Sequence, residues 1–122
     1  MERWTINLLL VITLVLPVGC YYDNEEDLYP PQECITTDMS YQANIVPILE
    51  RNCYVCHAVG VANGGVVLEG HANLIFWINN NRLLGAIRHE SGFSAMPQNA
   101  AKLLDCDIAK IEQWIADGTP DN

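Results

Sequence analysis

The sequence predicts an all-α fold, and three observations carry that prediction. Ile108, Ile111, Trp114 and Ile115 recur at helical spacing, while Lys110, Glu112 and Gln113 fall on the other side. Stretches from about Tyr41 to Arg51, His71 to Ile78 and Leu83 to Arg88 also read as helices, with apolar residues turned to one face. No strand-helix-strand pattern occurs, and Val66–Leu68 is the one short piece that reads as extended.

The chain opens with Leu8–Val18, eleven residues that are apolar apart from Thr13, preceded by Glu2 and Arg3. Crossing a bilayer takes about 20 apolar residues, so this run is too short and reads as the core of a signal peptide over residues 1–19. Cys20 follows at once in Leu16-Pro17-Val18-Gly19-Cys20. A small residue before a Cys looks like a bacterial lipoprotein signal, in which that Cys carries lipid and becomes the new N-terminus. Pro17 departs from the pattern, which usually has Leu three places before the Cys. The other reading is an ordinary signal peptide with Cys20 free or disulfide-bonded. Residues 20–40 then read as an acidic tether, extended rather than helical. Tyr21 to Asp27 is acidic and aromatic, Pro30-Pro31 follows, and six acids fall between Asp23 and Asp38.

The first helix of the domain at 41–122 places Ile45, Ile48 and Leu49 at helical spacing. It leads into Cys53-Tyr54-Val55-Cys56-His57, the attachment signal for c-type haem. The spacing has a chemical cause. Two thiols must reach two vinyl groups on one edge of the porphyrin, and His57 is then held beneath the iron as its proximal ligand. Cys-x-x-Cys alone also serves dithiol redox sites and half-sites for zinc. The former sits near a strand-helix-strand pattern, and the latter needs a second Cys/His pair at short spacing. Neither is present in the sequence.

Gly60 to Gly70 is rich in turn residues, with a tight turn at Asn63-Gly64-Gly65, and Asn79-Asn80-Asn81 separates the two middle helices. Met96 lies in the loop Ser94-Ala95-Met96-Pro97, where Pro97 keeps it out of helical geometry. It is the favoured second axial ligand. Met39 precedes the haem motif, and His71 and His89 compete, with His89 the serious rival because it stands seven residues before Met96. Arg82, Arg88, Lys102, Trp77 or an Asn could each meet a haem propionate, and the sequence does not choose among them. In the last helix Asp105 is placed to cap the N-terminus, Asp107 lies in the first turn, and Gly118 suits a left-handed cap. Trp114 is expected to pack on the first helix.

Three features in order resemble the small single-haem c-type cytochromes of the class I kind. They are Asn44-Ile45-Val46-Pro47-Ile48-Leu49 running into Cys53–His57, then Ala95-Met96-Pro97, then the closing helix around Trp114. The resemblance covers about residues 41 to 120. It implies a few helices around one covalent haem c, with first and last helices packed together. Cys53 and Cys56 become thioether anchors, His57 and Met96 the axial iron ligands, and the function electron transfer. Pro47 inside the first helix is a departure that should shorten or kink it.

Cysteine counting follows. Of five Cys, two go to haem, leaving Cys20, Cys34 and Cys106. In an oxidising compartment an odd thiol is a liability. With lipid on Cys20, Cys34 and Cys106 remain as one pair, expected as a disulfide between the N-terminal arm and the start of the last helix.

Charge narrows the function classes. The formal net charge is −9, and removing residues 1–19 takes away one acid and one base, leaving it unchanged. This argues against nucleic acid and against electrostatic attachment to anionic lipid. It favours redox partners with a basic docking face, or serves solubility alone. The expectation is an exported electron carrier, lipid-anchored in the cell envelope at the outer membrane or cell surface, and not an enzyme. The alternative is a peroxidase-like enzyme or small-ligand sensor with an open or displaceable distal position and His89 as acid-base residue. A third reading gives haem a purely structural role.

Overall fold

Residues 33–122 are described by a computed structural model; the leader, Cys20 and the tether up to residue 32 lie outside the described residues. The compact unit runs from Cys34 to Asn122. It is helical, with no strand among the described residues. A wide π turn, Tyr41–Ile45, leads into α1 (Val46–Asn52). Then come α2 (Tyr54–His57), a 3-10 turn at Asn63–Gly65, α3 (His71–Asn79), α4 (Arg82–Ile87) and α5 (Asp105–Ala116). No described helix is long and apolar enough to cross a membrane.

The first helix therefore differs from the single run expected over 41–51. Pro47 has no N–H to give to the turn before it. The chain widens there: the Ile45 amide donates to Ser40 O and the Val46 amide to Tyr41 O, each five residues back. α1 then starts with Pro47 in its first turn, where a missing donor costs nothing.

The start of this segment is closed from the far end of the chain. Ser40 N donates to Asn44 Oδ1 (2.8 Å), Tyr41 N to Asn122 Oδ1 (3.0 Å), Gln42 N to Asn122 O (2.9 Å) and Ala43 N to Ser40 Oγ (3.3 Å). Each N-terminal donor thus finds an acceptor.

α5 buries Ile108, Ile111 and Trp114 and half-buries Ile115, as its spacing predicts. Trp114 stacks on Tyr41, with ring centroids 5.5 Å apart, and its Nε1 donates to Pro120 O at 3.0 Å. Truncating such a side chain typically costs about 3–5 kcal/mol. Gly118, at φ +89°, ends the helix: its N–H reaches Ile115 O and the Thr119 N–H reaches Trp114 O. Asp105 does not cap. Leu104 holds the cap position without a side-chain bond, and Asp105 is the first helical residue. Lys102 Nζ, 2.9 Å away, takes the Asp105 carboxylate instead and holds it below its ordinary range. Asp107 faces Arg51 of α1 at 3.6 Å.

Cys34 is disulfide-bonded to Cys106, with Cα atoms 5.5 Å apart. Met39 is buried in the core with Tyr41, Ile45, Ile48, Leu49, Leu74 and Trp114. The arm from Cys34 onward is therefore tied to the helices.

Candidate functional site

α1 runs directly into the cysteine motif. Cys53 N donates to Leu49 O (2.7 Å), and the backbone then bends at Cys53, whose φ is −126°. His57 N donates back to Cys53 O at 2.9 Å, closing one turn of α2. Cys53, Cys56 and His57 thus share this turn and its cap, all half-buried, and both thiols are free.

The segment after the turn folds back on His57. Leu68 N donates to His57 O (2.8 Å), and His57 Nδ1 lies 3.2 Å from Val66 O. A carbonyl can only accept, so Nδ1 carries the proton of the neutral ring and Nε2 keeps its lone pair. Val59 N to Glu69 Oε2 (2.6 Å) closes the same loop, and Trp77 Nε1 of α3 donates to Val67 O (2.9 Å). Val66 is extended, but the 66–68 piece pairs with no strand.

Met96 is held by both its backbone groups. Its N–H donates to Ala86 O of α4 (3.0 Å), and its carbonyl accepts from His89 Nε2 (3.1 Å). The thioether side chain is half-buried. His89 sits at φ +57°, directly after α4, and closes that helix as Gly118 closes α5: His89 N reaches Ala86 O and Glu90 N reaches Gly85 O. A non-glycine residue in that conformation costs about 1 kcal/mol; here its side chain holds the Met96 carbonyl.

The other candidates are placed elsewhere. Met39 is core. His71 packs edge-on to Tyr41 and Trp114, and its Nε2 donates to Thr119 O (2.9 Å). Among the propionate candidates, Arg88 is paired with Glu112 and Glu90, Lys102 with Asp105, and the Trp77 N–H with Val67. Arg82 has no carboxylate partner among the described residues; its guanidinium lies 5.8 Å from the Trp77 ring centroid.

Burial pushes the Cys53 thiol up to about 11. Dithiol redox motifs work in the opposite sense, with a lowered thiol pKa. Among the described residues no three His, Cys, Asp or Glu side chains converge as a metal cage, so Cys53 and Cys56 have no partners for a closed zinc site. Haem iron, ligated by one residue on each face, needs no such convergence. The residues fit haem on the chemistry of the donors: two free thiols three apart, and an imidazole whose proton is fixed on Nδ1.

A cleft of about 340 Å³ is lined by Tyr41, Tyr54, Glu69, His71 and Asp121, and another of about 460 Å³ by Phe76, Trp77, Asn80 and Arg82. Neither includes Cys53, Cys56, His57 or Met96. Burial raises the Tyr54 phenol above its ordinary range, and the neighbouring Tyr41 and the Glu69 and Glu50 carboxylates add to the shift. Val55, Val59 and Val61, within and just after the motif, are 79, 67 and 51 % exposed.

The chain matches no protein-family model, no curated protein and no solved structure at a significant level.

Proposed function

We propose that the protein is an electron carrier of the small c-type cytochrome kind, with one haem c bound through Cys53 and Cys56. The observation that carries this reading is the His57 ring, fixed by Val66 O so that Nε2 is presented as a ligand. Haem bound there supplies one reversible one-electron couple. The two thiols hold the group in place, and the 66–68 segment sets the rotation of the imidazole. Met96 is the second ligand, delivered by a loop hung from α4 by the Ala86 carbonyl and steadied by His89. With His57 and Met96 both holding the iron, a bound haem would leave substrate no place on the metal and would supply electron exchange alone. The acidic surface favours partners with a basic docking face, and the charge of −9 disfavours nucleic acid. The chain is exported and held in the cell envelope by lipid on Cys20.

Spectra of the protein matured with haem-attachment machinery test this reading. The ferric form should show the weak far-red band of Met–iron ligation, lost in Met96→Ala. Ready CO binding by the ferrous wild type would contradict the closed carrier and favour a sensor or peroxidase.

A further inference from the structure

We infer that Trp77 is the positioning residue for the proximal histidine, acting through the Val67 carbonyl. This rests on the proposed haem ligation for its consequence, but the contact network stands on its own. His57 is joined to the 66–68 segment on both sides, by Nδ1 to Val66 O (3.2 Å) and by its carbonyl to Leu68 N (2.8 Å). The residue between those two contacts is Val67. Its carbonyl accepts from Trp77 Nε1 at 2.9 Å, which fastens the middle of the segment to α3.

Val66 O alone would hold the ring only as firmly as the loop that carries it. Residues 58–70 contain Gly60, Gly64, Gly65 and Gly70, each with positive φ, and no helix longer than the 3-10 turn at Asn63–Gly65. Such a loop supplies little stiffness of its own. Leu68 seats one end of the segment in the core, and the indole holds its middle. Trp77 is itself fixed, its ring edge-on to Phe76 at 5.1 Å and facing the Arg82 guanidinium at 5.8 Å, while Leu74 and Ile78 of the same helix are buried. One line of support therefore runs from the core through α3, Trp77, Val67 and Val66 to His57 Nδ1, beside the anchor that Leu68 makes in the core. A firm Nδ1–H···O bond makes the imidazole a stronger donor through Nε2, which favours ferric iron and lowers the potential.

The test compares wild type, Trp77→Phe and Phe76→Leu in the full chain. Trp77→Phe removes the N–H and keeps a ring; Phe76→Leu disturbs the packing and keeps the N–H. In the haem-free chain, amide exchange at Leu68 should quicken about fivefold in Trp77→Phe, the loss of one hydrogen bond of about 1 kcal/mol. Amides of α5 should not change, and the nitrogen NMR signals of His57 should show its single Nδ1–H tautomer giving way to a mixture. Phe76→Leu should do neither. In the haem-loaded chain the midpoint potential should rise in Trp77→Phe alone. Should Trp77→Phe not fold, Trp77→Met, unbranched and without a donor, takes its place. Unchanged Leu68 exchange and tautomer in Trp77→Phe, or equal effects in Phe76→Leu, would overturn the inference. A wild-type chain that takes no haem contradicts the functional reading instead, and the Leu68 and His57 measurements still decide the role of Trp77.

Discussion

Gly85 has no room for a methyl group, and Phe93 is the reason. A Cβ built on Gly85 would stand 2.5 Å from Phe93 Cδ2 and Cγ and 2.7 Å from Cδ1. Gly85 lies inside α4 and is buried, with no positive φ to explain the glycine. In an open helix, Gly→Ala would stabilise by about 1 kcal/mol. Here the added carbon meets the body of a ring, so Phe93 must leave its place. Overpacking of this kind costs about 1–3 kcal/mol. The balance for Gly85→Ala is a net loss of about 1 kcal/mol, a fall in Tm of roughly 5 °C for a domain of this size. In a Phe93→Ala background the obstacle is gone, and the same substitution should stabilise by about 1 kcal/mol. The double-mutant coupling is then about 2 kcal/mol. Urea unfolding of the four proteins, followed by far-ultraviolet circular dichroism, measures it. A coupling near zero, or a Gly85→Ala protein more stable than wild type, would refute the reasoning. Phe93 precedes Met96 in the same loop, so Gly85→Ala should also weaken the far-red ferric band of the haem-loaded protein.

Replacing both Cys34 and Cys106 with Ser removes a cross-link between positions 72 residues apart. The chain-entropy account puts the loss at about 4 kcal/mol, measured by urea unfolding of the double variant beside wild type. In the haem-free chain, Cys53 titrates upward from an ordinary 9.0 to about 11, because burial disfavours its thiolate. Its alkylation by iodoacetamide should therefore climb through about pH 11 when folded and through the ordinary thiol range in urea. The sign for stability follows: the contribution is complete below pH 9 and is lost as pH rises to about 11, a loss that Cys53→Ala should remove from a pH series of unfolding curves. Cys20→Ala should shift the exported protein from the membrane fraction to the soluble one on fractionation of the cell envelope; an unchanged distribution would count against the lipid anchor.

What the sequence made legible was local. The α5 stripe shows because Ile108, Ile111 and Trp114 repeat at the period of the helix that buries them. Gly118 shows because a left-handed residue is most simply a glycine. The Cys53–His57 run shows because its residue types and spacing are contiguous in the chain and need no fold to be read. The hidden features join distant residues or use an uncommon residue for a common job. Asn122 closes the first helix from 81 residues away, and no pattern near Tyr41 announces it. His89 fills a cap position that usually holds glycine, so the end of α4 carries no composition signal. Asp105 resembled a cap until Lys102 claimed its carboxylate. Trp77 read as an apolar helix residue and as one of several possible donors to a propionate; that its N–H goes to Val67 O depends on where the 66–68 segment comes to rest. Pro47 did announce a disturbance, but its form, a wide turn upstream, depends on acceptors at Ser40 and Tyr41.

The most direct test of the central claim is the mass of the mature chain after expression with haem-attachment machinery and full denaturation. The account predicts a gain of one haem that survives unfolding, persists through the one remaining thioether in Cys53→Ser or Cys56→Ser, and disappears when both are replaced. An unmodified wild-type chain, recovered from cells that mature other c-type haem proteins, would contradict it.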